Sequence, residues 1–142
     1  VPAEIEPAAV PVPGRLYQTP GIVIISFGYQ WGAPPEAHVL FDVRRFHQDL
    51  GPGLRDRTAE DRQVQRCLEV DHVVRDLCSM LELIAVRYSY QGDDVVIAVG
   101  CPDGRQLSPV IASELRTLLG YEGNPCTVYD RDIRRPAAVN TG

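Results

Sequence analysis

The sequence predicts an α/β domain, a small, open, mainly parallel sheet of about four strands flanked by two or three helices. Three observations carry this. Two β-branched apolar runs, GIVIISF at 21–27 and DVVIAVG at 94–100, suit central strands buried on both faces. Between them, from Asp61 to about Tyr90, apolar residues recur at spacings of three and four, the mark of a core-facing helical stripe. After the second run, Ser108-Pro109 opens another helical pattern, so strands and helices alternate as a layered α/β domain requires.

The elements follow in order. Prolines at 2, 7, 11, 13 and 20 forbid a regular helix, and residues 1–20 read as an extended tail or linker. The first strand, 21–27, leads through the loop GYQWGAPPEA to a second, HVLFDV, at 38–43. That connection is too short for a helical crossover, so these two strands need not be parallel neighbours. The stretch RRFHQDLGPGLRDRTAED is a long irregular loop of the kind that is usually functional or mobile. The helical stripe then includes Val73, Val74, Leu77, Cys78, Leu81, Ile84, Ala85 and Tyr88, and Gly92 stops it. A third strand at 94–100 precedes a helix from about Pro109 to Leu119. Ser108 is its expected N-cap, Pro109 its first helical residue and Gly120 its end. CTVYD, 126–130, is the last strand, and 134–142 reads as a flexible tail after a domain spanning 21–133. There are no internal repeats.

Composition bounds the function. A chain of 142 residues with 44% apolar side chains favours one domain with one core. No run reaches the length of a membrane span, and the start lacks the basic and long apolar regions of a signal peptide. Cys67, Cys78, Cys101 and Cys126 are scattered without a CxxC, which points to buried free thiols in a reducing cytosol and a cytoplasmic protein. All 14 basic residues are arginine, so any anion site uses planar guanidinium forks. The net charge of −5 argues against broad attraction to nucleic acid, though not against a local basic patch.

The chemistry is expected at the strand ends. In open α/β sheets ligands bind in the crevice beyond the carboxyl ends of the strands. Ser26-Phe27-Gly28, Asp42-Val43-Arg44, Gly100-Cys101 and Asp130-Arg131-Asp132 would converge on one such rim. The loop GCPDGRQLS adds a helix amino terminus, where unpaired amides attract an anion, with Arg105 to supply charge. Against that, Asp103 brings a negative side chain and Pro102 removes an amide donor. The glycine spacing and the missing lysine exclude a Walker loop. Cys101 is a poor candidate nucleophile, because the arginine that a cysteine phosphatase loop needs six positions later is Leu107. Asp42 with Arg44, and Arg131 with Asp132, stand as couples that either grip a ligand or tie loops to the sheet. His38, His47 and His72 share no metal-ligand spacing, so no metal site is expected. Trp31 reads as a plug over the core.

The order of these motifs resembles the carboxyl-terminal domain of the RapZ family of RNase adapter proteins, over residues 21 to about 133. Ser26-Phe27-Gly28 matches that family's SFG element and Asp42-Val43-Arg44 its DVR. Leu54, Arg55 and Thr58 match an LRxxT element, with Asp61 and Val64 following in register. Gly100, Cys101, Gly104 and Ser108 match a loop of the form GCTGGxHRSV, and Arg131-Asp132 two thirds of HRD. The departures fall on the chemistry. Pro102 and Asp103 replace threonine and glycine, Gln106 and Leu107 replace the His-Arg pair, and Asp130 replaces histidine.

The resemblance implies a bacterial or phage protein with that fold, standing without the family's amino-terminal P-loop domain. It also implies a homo-oligomer, contact with RNA and a pocket for an amino-sugar phosphate. The expected function is therefore a non-enzymatic binding module, with no cofactor. It would hold a small phosphorylated or carboxylated ligand, a sugar phosphate or nucleotide, among Ser26, Gly28, Asp42, Arg44, Cys101, Gly104, Arg105, Ser108, Arg131 and Asp132. The alternative is an RNA-binding adapter acting through Arg45, Arg55, Arg57, Arg134 and Arg135. A protein-interaction scaffold with a degenerate pocket is the third reading. An enzyme of phosphoester chemistry ranks last, because no nucleophile-base pair or metal cluster stands out.

Overall fold

The structure, a computed structural model, describes residues 21–90 and 94–137. The proline-rich segment 1–20, the expected helix stop at Gly92 and the end of the chain from 138 lie outside the described residues. Four strands form one sheet: β1 (Ile22–Gly28), β2 (Val39–Asp42), β3 (Val95–Cys101) and β4 (Cys126–Asp130). Their order is β2-β3-β1-β4, and every pairing is parallel. The open, parallel α/β architecture is the one the sequence predicts. β1 and β2 are indeed not neighbours, since β3 lies between them.

The two apolar runs occupy the centre because only there can both faces of such a strand leave water. All seven residues of β1 and all seven of β3 are buried. Alternation splits their side chains between two clusters. Ile22, Ile24, Val95, Ile97, Val99 and Cys101 join the main core with the helices. Val23, Ile25 and Val96 form a smaller cluster on the other face, with Ala37 and Tyr129 packed against it. His38 is tied to the sheet: its Nδ1 accepts the Val96 amide at 2.9 Å.

Three helices complete the fold, α1 (Arg62–Glu69), α2 (His72–Ser89) and α3 (Leu107–Tyr121). The stretch expected as one helical pattern is two helices. Asp61 and Asp71 each accept two amides of the turn that follows, so each is an N-cap, and the chain breaks at Val70-Asp71. α3 starts earlier and ends later than expected. It begins at Leu107 with Gln106 as the residue before it, which leaves Pro109 inside the first turn, where its missing amide costs no helical bond. Ser108 is not the N-cap, because its hydroxyl is drawn inward to the Phe27 carbonyl at 3.2 Å. Gly120 is still helical, and the helix runs on to Tyr121. Cys67 is exposed on α1 rather than buried, whereas Cys78 and Cys101 are buried and Cys126 half-buried; all four are free thiols. Among the described residues no helix is long and apolar enough to cross a membrane.

Candidate functional site

A fully parallel sheet brings the carboxyl ends of its strands to one rim, and the loop from Cys101 to Gln106 closes over the end of β1 there. Backbone contact makes this closure possible. A Cβ on Gly28 would lie 2.2 Å from the Asp103 carbonyl carbon, and one on Gly104 would lie 2.6 Å from the Gly28 nitrogen. Gly104 also has φ of +72°, which other residues rarely adopt. The Gln30 amide donates to the Pro102 carbonyl at 3.1 Å, and Trp31 Nε1 to the Asp103 carbonyl at 3.1 Å. Trp31 thus braces the loop and is not a plug over the core.

The loop's own donors are engaged from within. The Gly104 amide donates to Cys101 Sγ at 3.2 Å, and the Arg105 amide to Asp103 Oδ1 at 3.1 Å. Ser108 Oγ stands 3.1 Å from the same sulfur. Burial pushes the Cys101 thiol up, against the lowering effect of the Ser108 hydrogen bonds, so the group is a protonated thiol with a structural place. Arg105 is only 8% exposed. Its guanidinium donates to the backbone carbonyls of Asp56 and Arg135, each at 2.5 Å. Gln106 Nε2 donates to the carbonyls of Leu54 and Arg57. These two side chains pin the long 50–58 loop and the chain after β4 to the cradle.

Beside them stands a buried hub. Asp132, 0% exposed, accepts the Gly28 amide at 2.8 Å and ion-pairs with Arg131 at 2.9 Å and Arg135 at 3.4 Å. Arg131 also donates to the carbonyls of Ala33 and Gly28. Ser26 is buried at the end of β1, and its hydroxyl donates to Asp130 Oδ1 at 2.6 Å. Burial pushes the Asp130 carboxyl up, and the Ser26 hydrogen bond only partly offsets this.

Aromatic residues stand at and just beyond the end of β1. Arg44, from the turn after β2, and Arg131 and Arg135, both from the chain after β4, lie over three of their rings. The Arg44 guanidinium is 3.7 Å from the Tyr29 ring centroid, Arg131 5.2 Å from that of Phe27, and Arg135 5.3 Å from that of Trp31. Arg44 belongs to a short turn after β2 rather than to the strand. It grips Asp42 through two parallel bonds, the shorter 2.6 Å, and half of its side chain is exposed. That grip holds the Asp42 carboxyl below its ordinary range. Arg45, next to it, is exposed and makes no hydrogen bond or ion pair with another described residue.

Of the ten residues expected to line a ligand, Gly28, Cys101, Gly104, Arg105, Ser108 and Asp132 come together as the closed loop and its supports. Arg131 belongs to the same knot. Ser26 is tied to Asp130, and Asp42 with Arg44 stands at the open side. The arginines expected for RNA are mostly paired: Arg55 with Asp49, Arg57 with Asp61, Arg134 with Glu60 and Arg135 with Asp132. Sequence reasoning missed the paired roles of Tyr29 and Trp31. Their signal was present in FGYQW, where aromatic residues alternate beyond the strand end. Among the described residues no group of three or more His, Cys, Asp or Glu is arranged to hold a metal.

A parallel sheet whose carboxyl-end rim is sealed by a glycine loop and a helix start defines an α/β module of the kind that carries its site at the strand ends. The family model described as the RapZ C-terminal domain matches residues 20–134, and the chain belongs to that family. It is similar to a protein named nucleotide-binding protein from Moorella thermoacetica, 33% identical over 120 residues that cover 80% of this chain and 40% of that relative. Proteins of the same name in Heliobacterium modesticaldum and Sorangium cellulosum are 33% and 32% identical, over 79% and 97% of this chain. The chain spans about two fifths of the length of these curated relatives.

Proposed function

We propose that this chain is a non-enzymatic binding module that holds a small phosphorylated ligand, a sugar phosphate or nucleotide, at the open side of the rim. One observation carries the reading: Arg44 is stacked on Tyr29 at 3.7 Å with half of its side chain exposed, beside the exposed Arg45, which pairs with no other described residue. A phosphate approaching this corner meets two guanidinium groups and displaces only the exposed Asp42 from one of them. Tyr29 and Trp31 supply ring faces to a planar or sugar moiety. The loop amides at Gly104 and Arg105 have partners already, so the ligand is held by arginine rather than by a backbone cradle. The relatives named nucleotide-binding proteins support the ligand class. RNA is the weaker alternative, because four of the five arginines of its expected surface, Arg55, Arg57, Arg134 and Arg135, carry carboxylate partners.

Thermal denaturation of the chain against sugar phosphates, nucleotides, inorganic phosphate and a short structured RNA tests this. A ligand of the native state raises the melting temperature by mass action. The expected outcome is a shift with a small phosphorylated compound that disappears in Arg44→Ala and weakens in Arg45→Ala, while the unliganded melting temperature stays within a degree or two. A shift that persists undiminished in both variants rules out this corner. A shift with RNA alone transfers the function to the alternative.

A further inference from the structure

The amino end of the sheet gathers more than strand starts. Ile22 pairs with Val95 on one side and Cys126 on the other, and the Gly21 amide donates to Asp94 at 2.9 Å. α2 ends at Ser89, shortly before β3, and α3 at Tyr121, shortly before β4, so both helices bring their carboxyl ends to this edge. Between them lies a groove of about 230 Å³, lined by Ser79, Glu82, Leu83 and Val86 of α2 and by Glu122 after α3. It is smaller than the roughly 300–1,000 Å³ of small-molecule pockets, a size for one or two side chains. Its lining is of two kinds. Leu83, 62% exposed, and the half-buried Val86 form an apolar strip. Beside it burial, together with a hydrogen bond to Glu122, pushes the Glu82 carboxyl up. Two acids brought into contact favour a cation placed against both, and a guanidinium has a donor for each.

The chain carries such a group close by. Residues 1–20 join the described part at Gly21, on this same edge, and hold one basic residue, Arg15, followed by Leu16 and Tyr17. The steps from Arg15 to Gly21 span up to about 20 Å at ~3.3 Å per residue. Glu82 lies only about 10 Å back along α2 from Ser89, at ~1.5 Å per residue. The groove is therefore within reach of Arg15. We propose that this groove between α2 and α3 seats the chain's own residues 15–17, with the Arg15 guanidinium against Glu82 and Glu122 and Leu16 on Leu83 and Val86. The tether gives the segment an effective concentration of about 1 mM, so a contact with a Kd of about 0.1 mM keeps it seated roughly nine tenths of the time. The seat lies at the opposite end of the strands from the rim, so it stands independently of the ligand reading.

Trypsin cleaves after Arg15 and so reads the seating directly. The 142-residue chain is digested, its 1–15 fragment is followed by mass spectrometry, and the rate is compared with that of a synthetic peptide of residues 10–20. Where unseating is fast relative to cleavage, the rate follows the unseated fraction. Wild type is expected to release the fragment about tenfold more slowly than the peptide is cut. Glu82→Gln combined with Glu122→Gln removes both charges and should bring the rate to within about twofold of the peptide's. Leu83→Ser, at an exposed position, raises it as well. Cutting after Arg75, inside α2, requires that helix to open, so an unchanged rate there separates lost seating from lost folding. Wild-type cleavage as fast as the peptide's overturns the proposal. So does protection that both variants leave intact. Protection that grows with protein concentration overturns it too, because the segment would then lie on a different molecule.

Discussion

At Gly28 an added methyl group has nowhere to go. Its neighbours are the backbone atoms of Asp103 and Gly104, which cannot swing aside as a side chain would. Gly28→Ala is expected to destabilise the chain by about 2–4 kcal/mol, the range of overpacking plus backbone displacement. Gly104→Ala adds a positive φ to a similar clash. Gly120 is the control: it is helical and its Cβ would meet nothing within 4 Å, so Gly120→Ala gains about 0.5–1 kcal/mol. Urea titration of the three variants checks the ordering. Near-equal effects would mean that the loop does not close on β1. These glycines were visible in the sequence as loop residues, but the sheet places them back to back across 76 positions, and no local pattern announces that. The arginine partners were hidden for the same reason. Arg44 with Asp42 was legible from spacing of two, whereas Arg105 bridging to Asp56 and Arg135 depends on three loops meeting.

Among the elements, the strands were the most legible. A run buried on both faces must be apolar at every position, and β1, β3 and β4 each fall within a residue of their expected bounds. The break between α1 and α2 was not, because the apolar spacing on either side disguises it. Asp71 is the signal, an acceptor for the amides of Val73 at 2.8 Å and Val74 at 3.2 Å. Asp71→Ala is expected to cost about 1 kcal/mol, in line with other N-cap losses. Asp71→Asn should lose much less, since an amide oxygen still accepts. Chemical denaturation of the pair distinguishes the cap from a charge effect: equal losses would assign the role to charge. α3 misled in the opposite way. Ser108-Pro109 has the composition of a helix start, yet the serine hydroxyl is engaged with β1 and the sulfur of Cys101, so tertiary contacts set the boundary.

For the molecule as a whole, stability follows two opposed sets of carboxyls. Hydrogen bonds from Arg44, Arg55 and Arg57 hold Asp42, Asp49 and Asp61 below their ordinary 3.8. Their contribution is present above that value and is lost as pH falls through their lower folded values. Burial raises Asp130, Glu114 and Glu82, so the folded state binds those protons more tightly than the unfolded chain. Their ionisation costs stability as pH rises through the raised values, and acidification removes that cost. The melting temperature is therefore expected to rise as the pH is lowered from neutrality through the raised carboxyls toward the ordinary carboxylate range of about 4, then to fall below that range. Asp130→Asn keeps an acceptor for Ser26, and should raise the melting temperature at neutral pH and flatten the first part of the profile. A profile that falls steadily from neutrality in wild type would show that the paired carboxyls alone control it.

The strand order has a consequence for how the chain is made. β1 emerges early, yet both of its ladder partners are encoded late: Gly21 and Asp94, whose hydrogen bond fastens the start of the β1–β3 pair, are 73 residues apart. At the roughly 5–20 residues per second of synthesis, the stretch IVIISF waits for several seconds without a partner on either edge. A ribosome stalled or a transcript truncated before β3 thus releases an apolar strand with two open sides, the kind of segment that recruits its like. Nascent chains ending near residue 90 should be the form most dependent on chaperones, and chains that have passed residue 130 should shed that dependence abruptly.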